Sequence, residues 1–448
     1  MQASTLHRRP QRLLAAAVLM LACASATAQQ TTRLGGVLAL ARASDAQYAA
    51  ARAAAESGRE KLPQALAGLR PTVNVTYSIK HNADGSTAYD GTRYYDSGGA
   101  SFTINQPLFR LANKAAVDQA HAQVLLSDQQ FALAEQDLLL RVARGYFDVL
   151  QAQDELAAAG AQRESLIQQL AQAKRSYEVG TVPVTDFNEA QSRHDLAVAQ
   201  EIAARNELES KKRVLEKSIA SPLPPLARLD PAALTELRGT EALRNLVQSA
   251  HRTALSVAIA RSAAQVAERE IARRDAGHHP TLDLVVSVSS NRNVNYAQFG
   301  GSDTRQRSMG LDLVLPIYQG GGVSSRVREA LADLRRAQQE QANAERQALL
   351  DAQQALLGVE SGSALTAALK QALSSAEIQL RSTQRGLQVG VRTQVDVLNA
   401  EQQLYVTRKD LAAARYRTLV AGLQLRAAAG VLVEADLQKL DALLTAEP

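Results

Sequence analysis

Residues 389–402 read VGVRTQVDVLNAEQ, and 210 residues upstream, at 179–192, stands VGTVPVTDFNEAQS. Val179 and Val389, Gly180 and Gly390, Asp186 and Asp396, and Ala190 and Ala400 occupy matched places. Each copy follows a long helical pattern and begins another. Glycine lets the backbone reverse and aspartate accepts from free N–H groups at a helix start, so both copies are expected to be sharp helix-to-helix turns. The second copy alone carries an arginine, Arg392, beside its glycine.

The repetition extends well beyond the turns. Pro71 in RPTVNVTYSI matches Pro280 in HPTLDLVVSVSS, and Pro107 in NQPLF matches Pro316 in VLPIY, both at an offset of 209. DAQYAAAR at 45–52 matches ALSVAIAR at the same offset, whereas AAR at 203–205 recurs 210 residues on, so one residue has been gained. The period is too long for a solenoid repeat and marks one duplicated unit. The copies meet at SPLPPLARLDP, where Pro222, Pro224, Pro225 and Pro231 forbid a continuing helix. The expected divisions are a leader at 1–28, a first unit at 29–220, a Pro-rich joint at 221–240, a second unit at 241–430 and a short tail at 431–448.

Each unit reads helix, strand, loop, strand, very long helix, turn, helix. Thr72, Asn74, Thr76 and Ser78 alternate with Val73, Val75, Tyr77 and Ile79, and the return strand alternates Ser101, Thr103 and Asn105 with Phe102 and Ile104. In the second unit Leu282, Leu284, Val286 and Val288 share a face, as do Met309, Leu311, Leu313 and Leu315. Period-2 alternation marks strands with one apolar and one polar face. A half-buried hairpin of a soluble protein would alternate likewise. These strands, however, run about 9–10 residues, which crosses a bilayer when tilted. Their polar faces are built of small residues suited to a watery lumen, and long polar loops, HNADGSTAYDGTRYYDSGGA and NRNVNYAQFGGSDTRQR, join them. Four strands cannot close a barrel around water, and an open edge cannot sit in lipid, so several chains would have to share one barrel.

Proline is absent from about Asn113 to Glu178 and from about Val323 to Gln388, which at 1.5 Å per residue gives roughly 100 Å of helix in each unit. Leu166, Leu170, Ala173 and Tyr177 recur at coiled-coil spacing, as do Leu365, Leu369, Ala372 and Ala376. Composition agrees with long, closely packed helices: the 448 residues include no Trp and only 4% aromatics.

Arg8, Arg9 and Arg12, the apolar run LLAAAVLMLACA and the small-x-small triplet Ala26-Thr27-Ala28 form a secretory signal, with Gln29 expected as the first mature residue. Cys23, the one cysteine, follows Met20-Leu21-Ala22, a poor site for lipid attachment. Losing three arginines and no acid lowers the formal charge from +5 to +2, which gives no reason to expect nucleic acid. Past the leader, no apolar segment approaches the length of a membrane-spanning helix.

The Pro-flanked amphipathic strands, PIYQGGG at 316–322 entering the second long helix, and the two VG…D turns together resemble the TolC family of outer-membrane efflux and secretion channels, over nearly all of the mature chain. The resemblance implies a mixed α+β membrane protein of the Gram-negative outer membrane, projecting into the periplasm. Its transmembrane β-barrel is completed by a homotrimer, at four strands per chain, above a coiled-coil α-helical barrel. The turns at Val179, Gly180, Val389 and Gly390 would form the periplasmic tip. It further implies a gating lock, in which Arg392 bonds Thr185 and Asp186 on a neighbouring hairpin, and a pore constriction at Asp396. A second acidic ring falls here on Asn399, and a tyrosine that assists the lock in some members falls on Leu387. The implied partners are a periplasmic adaptor (membrane fusion protein), an inner-membrane ABC, RND or MFS pump, and outer-membrane lipid; the secretion-type branch is favoured.

Other chemistry is thin. His278-His279 lack the helical spacing of a metal pair, His194 stands alone on a helix, and Gly320-Gly321-Gly322 lack a phosphate-binding lysine. No nucleophile–base set presents itself, so neither an enzyme nor a cofactor is expected. The alternative to a duct is a soluble periplasmic coiled-coil scaffold or adaptor.

Overall fold

The computed structural model describes residues 31–85, 91–229, 240–294 and 302–445. The leader with Cys23, part of the Pro-rich joint, and the central residues of both strand-connecting loops lie outside them. In chain order the elements are α1 (Leu34–Ser44), α2 (Ala46–Arg59), α3 (Lys61–Ala67), β1 (Thr72–Gly85), β2 (Thr92–Arg110), α4 (Leu111–Glu178) and α5 (Val184–Ile219). After β3 (Arg228–Leu229) the pattern returns as α6 (Thr240–Thr253), α7 (Leu255–Asp275), β4 (Thr281–Val294), β5 (Ser302–Val314), α8 (Gly322–Gln388) and α9 (Gln394–Ala428). The chain closes with α10 (Glu434–Asp441) and β6 (Leu444–Thr445). By packing, the described residues form two units: those within 31–49, 135–248 and 351–445, and those within 50–134 and 249–350.

The second of these units holds one antiparallel sheet in the order β1-β2-β4-β5. The two hairpins therefore pair with each other through β2 and β4, leaving β1 and β5 as edges. The register runs the expected alternation straight across four strands. Asn74, Thr103, Ser287 and Ser308 form one polar row, and Thr76, Ser101, Ser289 and Gln306 the next. Hydroxyls tie neighbours within these rows, Thr76 to Ser101 and Ser287 to Ser308, each at 2.8 Å. On the opposite face Val73, Ile104, Val286 and Met309 make an apolar row. No described residue covers that face at the edges of the sheet: Val75 is 74% exposed and Leu311 62%.

The apolar face has a geometric property that an ordinary half-buried sheet has no reason to show. Toward the hairpin ends, its uninterrupted run of large apolar side chains stops at Ile79 on β1, Phe102 on β2, Val288 on β4 and Met309 on β5. Phe102 and Val288 are paired with each other, but their row-mates on the edge strands are Val75 and Arg307. The limit of the apolar band thus cuts diagonally across the rows. A horizontal slab of hydrocarbon draws such a line only on strands tilted against it, as strands of a membrane barrel are.

One expectation about the strands needs correction. They run 13 to 19 residues rather than 9–10, because His81–Gly85 pair with Thr92–Asp96 and Asn291–Asn293 with Ser302–Thr304. Ladder bonds are made by backbone, so polar side chains that read as loop did not stop the ladder. Asp283 lies on the polar face of β4 and is only 8% exposed. Arg110, the last residue of β2, forks onto it, with Nε donating to Oδ1 at 2.9 Å. Pro107 accompanies the register shift before Phe109, where a residue without an N–H costs no ladder bond.

The first unit contains the main core. Leu34, Val37 and Leu38 of α1, Leu138, Val142, Tyr146, Phe147 and Leu150 of α4, Leu215 and Ile219 of α5, Leu419 and Leu423 of α9 and Leu437 of α10 pack together. Tyr146 donates its hydroxyl to the Ala227 carbonyl at 2.8 Å and Tyr416 donates to Asp154 at 2.7 Å, so both phenols are buried with partners. The segment expected as a plain tail is part of this fold. Besides Leu437, Asp441 accepts from the Gly35 amide at 2.9 Å, and β6 pairs with β3 inside the Pro-rich joint. Helices α4 and α8 span the two proline-free runs. The coiled-coil seam is buried in α4 at Leu166 and Ala173, but in α8 Leu365 is half exposed and only Ala376 of the four expected positions is buried.

If the apolar face meets lipid, cysteines at 73 and 75 in vesicle-reconstituted protein should resist a water-soluble thiol reagent, and cysteines at 72 and 74 should react. Equal reactivity on the two faces would exclude the assignment, because a one-residue slip exchanges every side chain between faces.

Candidate functional site

The two matched turns share one hydrogen-bond pattern. At the end of α4 the Gly180 N–H donates to Tyr177 O at 2.9 Å and the Thr181 N–H to Ser176 O at 2.9 Å. At the end of α8 the Gly390 N–H donates to Leu387 O at 3.1 Å and the Val391 N–H to Gly386 O at 2.9 Å. Gly180 and Gly390 have φ of 76° and 77°, the left-handed backbone of a Schellman helix end, which other residues enter at a cost. Both turns are therefore built by the same glycine, as the sequence suggested.

The helices that follow start differently, and this difference sets the chemistry of the site. In the second turn Thr393 caps α9. Its hydroxyl accepts from the Asp396 N–H at 3.2 Å, and the Asp396 carboxylate accepts from the Thr393 N–H at 2.9 Å. This reciprocal capping box holds the Asp396 carboxyl below the ordinary carboxylate value, chiefly through the Thr393 amide bond. In the first turn the cap position is Pro183, which has no N–H to give. Asp186, the counterpart of Asp396, takes only a 3.4 Å contact from the Thr185 hydroxyl. One turn thus has a carboxylate tied to its own backbone, and the other has a carboxylate left available.

Arg392 makes no ion pair among the described residues of its own chain, and it is not brought to Thr185 or Asp186 within that chain. Its stem lies over Gly386. A Cβ at 386 would stand 2.7 Å from Arg392 Cγ, so glycine there leaves room for the arginine to lie back along α8. Asn399 accepts from Arg193 Nη2 at 3.3 Å, across from α5. Leu387 contributes a carbonyl to the turn but no side-chain bond. Tyr177 and Phe187 stack across the first turn at 6.0 Å.

Sequence reasoning missed the seam that joins the two hairpins. Helix α9 is held against α4 by Gln394 donating to Gln169 at 3.3 Å, Ser165 to Glu401 at 2.7 Å and Gln162 to Gln402 at 2.7 Å. Below them Lys409 pairs with Glu155. Glu401 is only 7% exposed, and burial pushes its carboxyl above the ordinary value. Its signal in the sequence was one of spacing: Gln394 and Glu401 stand seven residues apart, on one face of a helix, as do Gln162 and Gln169.

Comparison with known proteins places this geometry. The model of the family described as outer membrane efflux protein matches residues 37–221 and 246–431, once in each sequence repeat. Outer membrane protein TolC of Vibrio cholerae is 31% identical, over 90% of this chain and 91% of its own. Proteases secretion protein PrtF of Dickeya chrysanthemi is 33% identical, over 91% and 90%. Among solved structures, the Campylobacter jejuni CmeC outer membrane channel shares the fold with a TM-score of 0.77 at 13% identity, covering 92% of this chain and 90% of that one. The outer membrane protein VceC of Vibrio cholerae does so at 0.73 and 17%, covering 89% and 96%. The soluble-scaffold alternative falls with these matches. The chain belongs to the outer membrane efflux protein family, a family of outer-membrane channels and not of enzymes.

Proposed function

We propose that three copies of this chain form a passive duct through the outer membrane and periplasm. It would be loaded by an inner-membrane ABC, RND or MFS pump through a periplasmic adaptor. The observation that carries this is the sheet: one polar face, one apolar face banded obliquely, and two unpaired edges. Three copies would pair β1 of one with β5 of the next and leave no edge in hydrocarbon. The half-exposed Leu365 seam of α8 supports the same assembly, since a second chain would cover it. Polypeptide is the cargo we favour, because PrtF and the Pseudomonas aeruginosa relative AprF, 31% identical, are named for protease secretion.

At the tip, Asp186 is the carboxylate without a backbone donor, and Arg392, close enough to Asp396 to help hold its carboxyl down, forms no ion pair with any described residue of its own chain. We assign them to one inter-chain lock, with the Thr185 hydroxyl as second acceptor for the fork of five donors. An exposed pair contributes about 0–1 kcal/mol, but threefold symmetry repeats it, which is enough to bias a two-state gate. Asp396, fixed by its cap, would point a ring of three carboxylates at the narrowest point of the pore and draw cations. Asn399 would leave the next turn uncharged.

Four variants test this. Arg392→Ser should raise single-channel conductance in planar bilayers, Asp186→Ala should do the same, and the double variant should add little, since both remove one bond. Simple additivity would show that the two residues do not meet. Asp396→Ala should weaken cation preference and block by trivalent cations; unchanged selectivity would remove Asp396 from the constriction.

Opening that parts α9 from α4 would hydrate Glu401. Its pKa is raised in the packed state, so that state binds the proton more tightly. Closure is then favoured below the packed-state pKa, and this advantage is lost as pH rises through it. Closed-state occupancy should therefore increase as pH falls in wild type and lose much of that dependence in Glu401→Gln. An identical pH profile in the two would place Glu401 outside the moving seam.

A further inference from the structure

We propose that Arg305 and Arg307 form a clamp for phosphate groups of membrane lipid at the outer rim of the apolar band. This rests on the apolar face being the lipid face. Both residues lie on β5, on the face that carries Met309, Leu311 and Leu313, immediately beyond the band toward the hairpin end. The other end of the hairpins leads into the helices, so the two arginines mark the side away from the periplasm.

Three observations favour an external anion as their partner. First, both side chains are exposed, and neither makes a hydrogen bond or ion pair among the described residues. Second, among the described residues the other ionisable side chains on this face beyond the band have partners: Arg292 meets Asp303 at 3.5 Å, and His81 meets Asp96 at 2.5 Å. Third, the rows containing the two arginines offer nothing acidic. Arg307 shares its row with Val288, Phe102 and Val75, and Arg305 with Ser290, Ala100 and Tyr77. If β1 of a second copy pairs with β5, its outward residues from Val73 to Ile79 likewise supply no carboxylate.

A guanidinium beside an apolar row must reach out of the hydrocarbon, and its three-carbon stem allows that. What it meets there is the layer of lipid phosphates. Residues two apart on a strand lie about 7 Å from each other on one face. Two planar forks at that spacing can each take a phosphate oxygen pair bidentately, a geometry in which arginine surpasses lysine.

The test uses the purified, folded channel in detergent, with bound lipids counted by native mass spectrometry during titration with phosphatidylglycerol. In parallel arms the titrant is a neutral diacylglycerol or inorganic phosphate. The wild type should bind phosphatidylglycerol and hold the other two far more weakly. Arg305→Gln/Arg307→Gln should lose roughly thirtyfold in affinity, about fivefold per arginine, and the double Lys variant should fall between. Equal lipid binding by wild type and the double Gln variant would overturn the proposal, as would inorganic phosphate competing as well as the lipid does. A double Gln variant that loses assembly in lipid-free detergent would also overturn it, by placing the arginines at a contact between copies. Thiol labelling at 72–75 keeps this separate from the barrel reading: if the faces label as expected and lipid binding is unchanged, only the clamp is wrong.

Discussion

A β edge left open in hydrocarbon strands a row of N–H and C=O groups with no water to satisfy them, and each such group costs several kcal/mol. This chain has two such edges, β1 and β5, on a sheet whose uncovered face is apolar. Much of the remaining design follows from that constraint. Either the sheet is not in a membrane, or other strands complete it, and the oblique band of apolar side chains removes the first option. The duplicated sequence then makes sense as economy of construction: each repeat contributes one β-hairpin and one helical hairpin, joined by a proline-free helix of 68 or 67 residues.

Duplication also allowed the two turns to diverge. The glycine that ends the helix is the same in both, because only that backbone closes the Schellman pattern at no steric cost. The cap is not the same. Threonine at 393 supplies both a hydroxyl and an N–H, and ties Asp396 down; proline at 183 supplies neither, and frees Asp186. The same residue type at matched positions has been given two electrostatic roles by its neighbour three residues earlier.

The sequence disclosed most of this architecture, and what it hid has physical causes. Strand faces, both long helices and both glycine turns follow from periodicity and from residues with restricted backbones, which are local properties. Strand ends did not, because His81–Gly85 and Asn291–Asn293 are held by backbone ladders indifferent to side-chain polarity. The role of the C-terminal segment was hidden because Leu437 and Asp441 find their partners some four hundred residues away, on α1 and at Gly35. At the site, Arg392, Asp186 and Asp396 stood out by comparing one turn with the other. The Gln169–Gln394 and Ser165–Glu401 seam joins helices more than two hundred residues apart, so the seven-residue spacing within each helix marks a polar face without saying which helix it meets. Gly386 is likewise explained only by the arginine stem that lies on it.

Closing the sheet with whole chains requires a definite number of copies, three in the proposed duct, and that number can be weighed. Native mass spectrometry of the protein extracted from outer membranes in mild detergent should give a single species of three chains, twelve strands in one closed barrel. A stable monomer under those conditions, or a ladder of growing oligomers, would contradict a barrel closed by three copies.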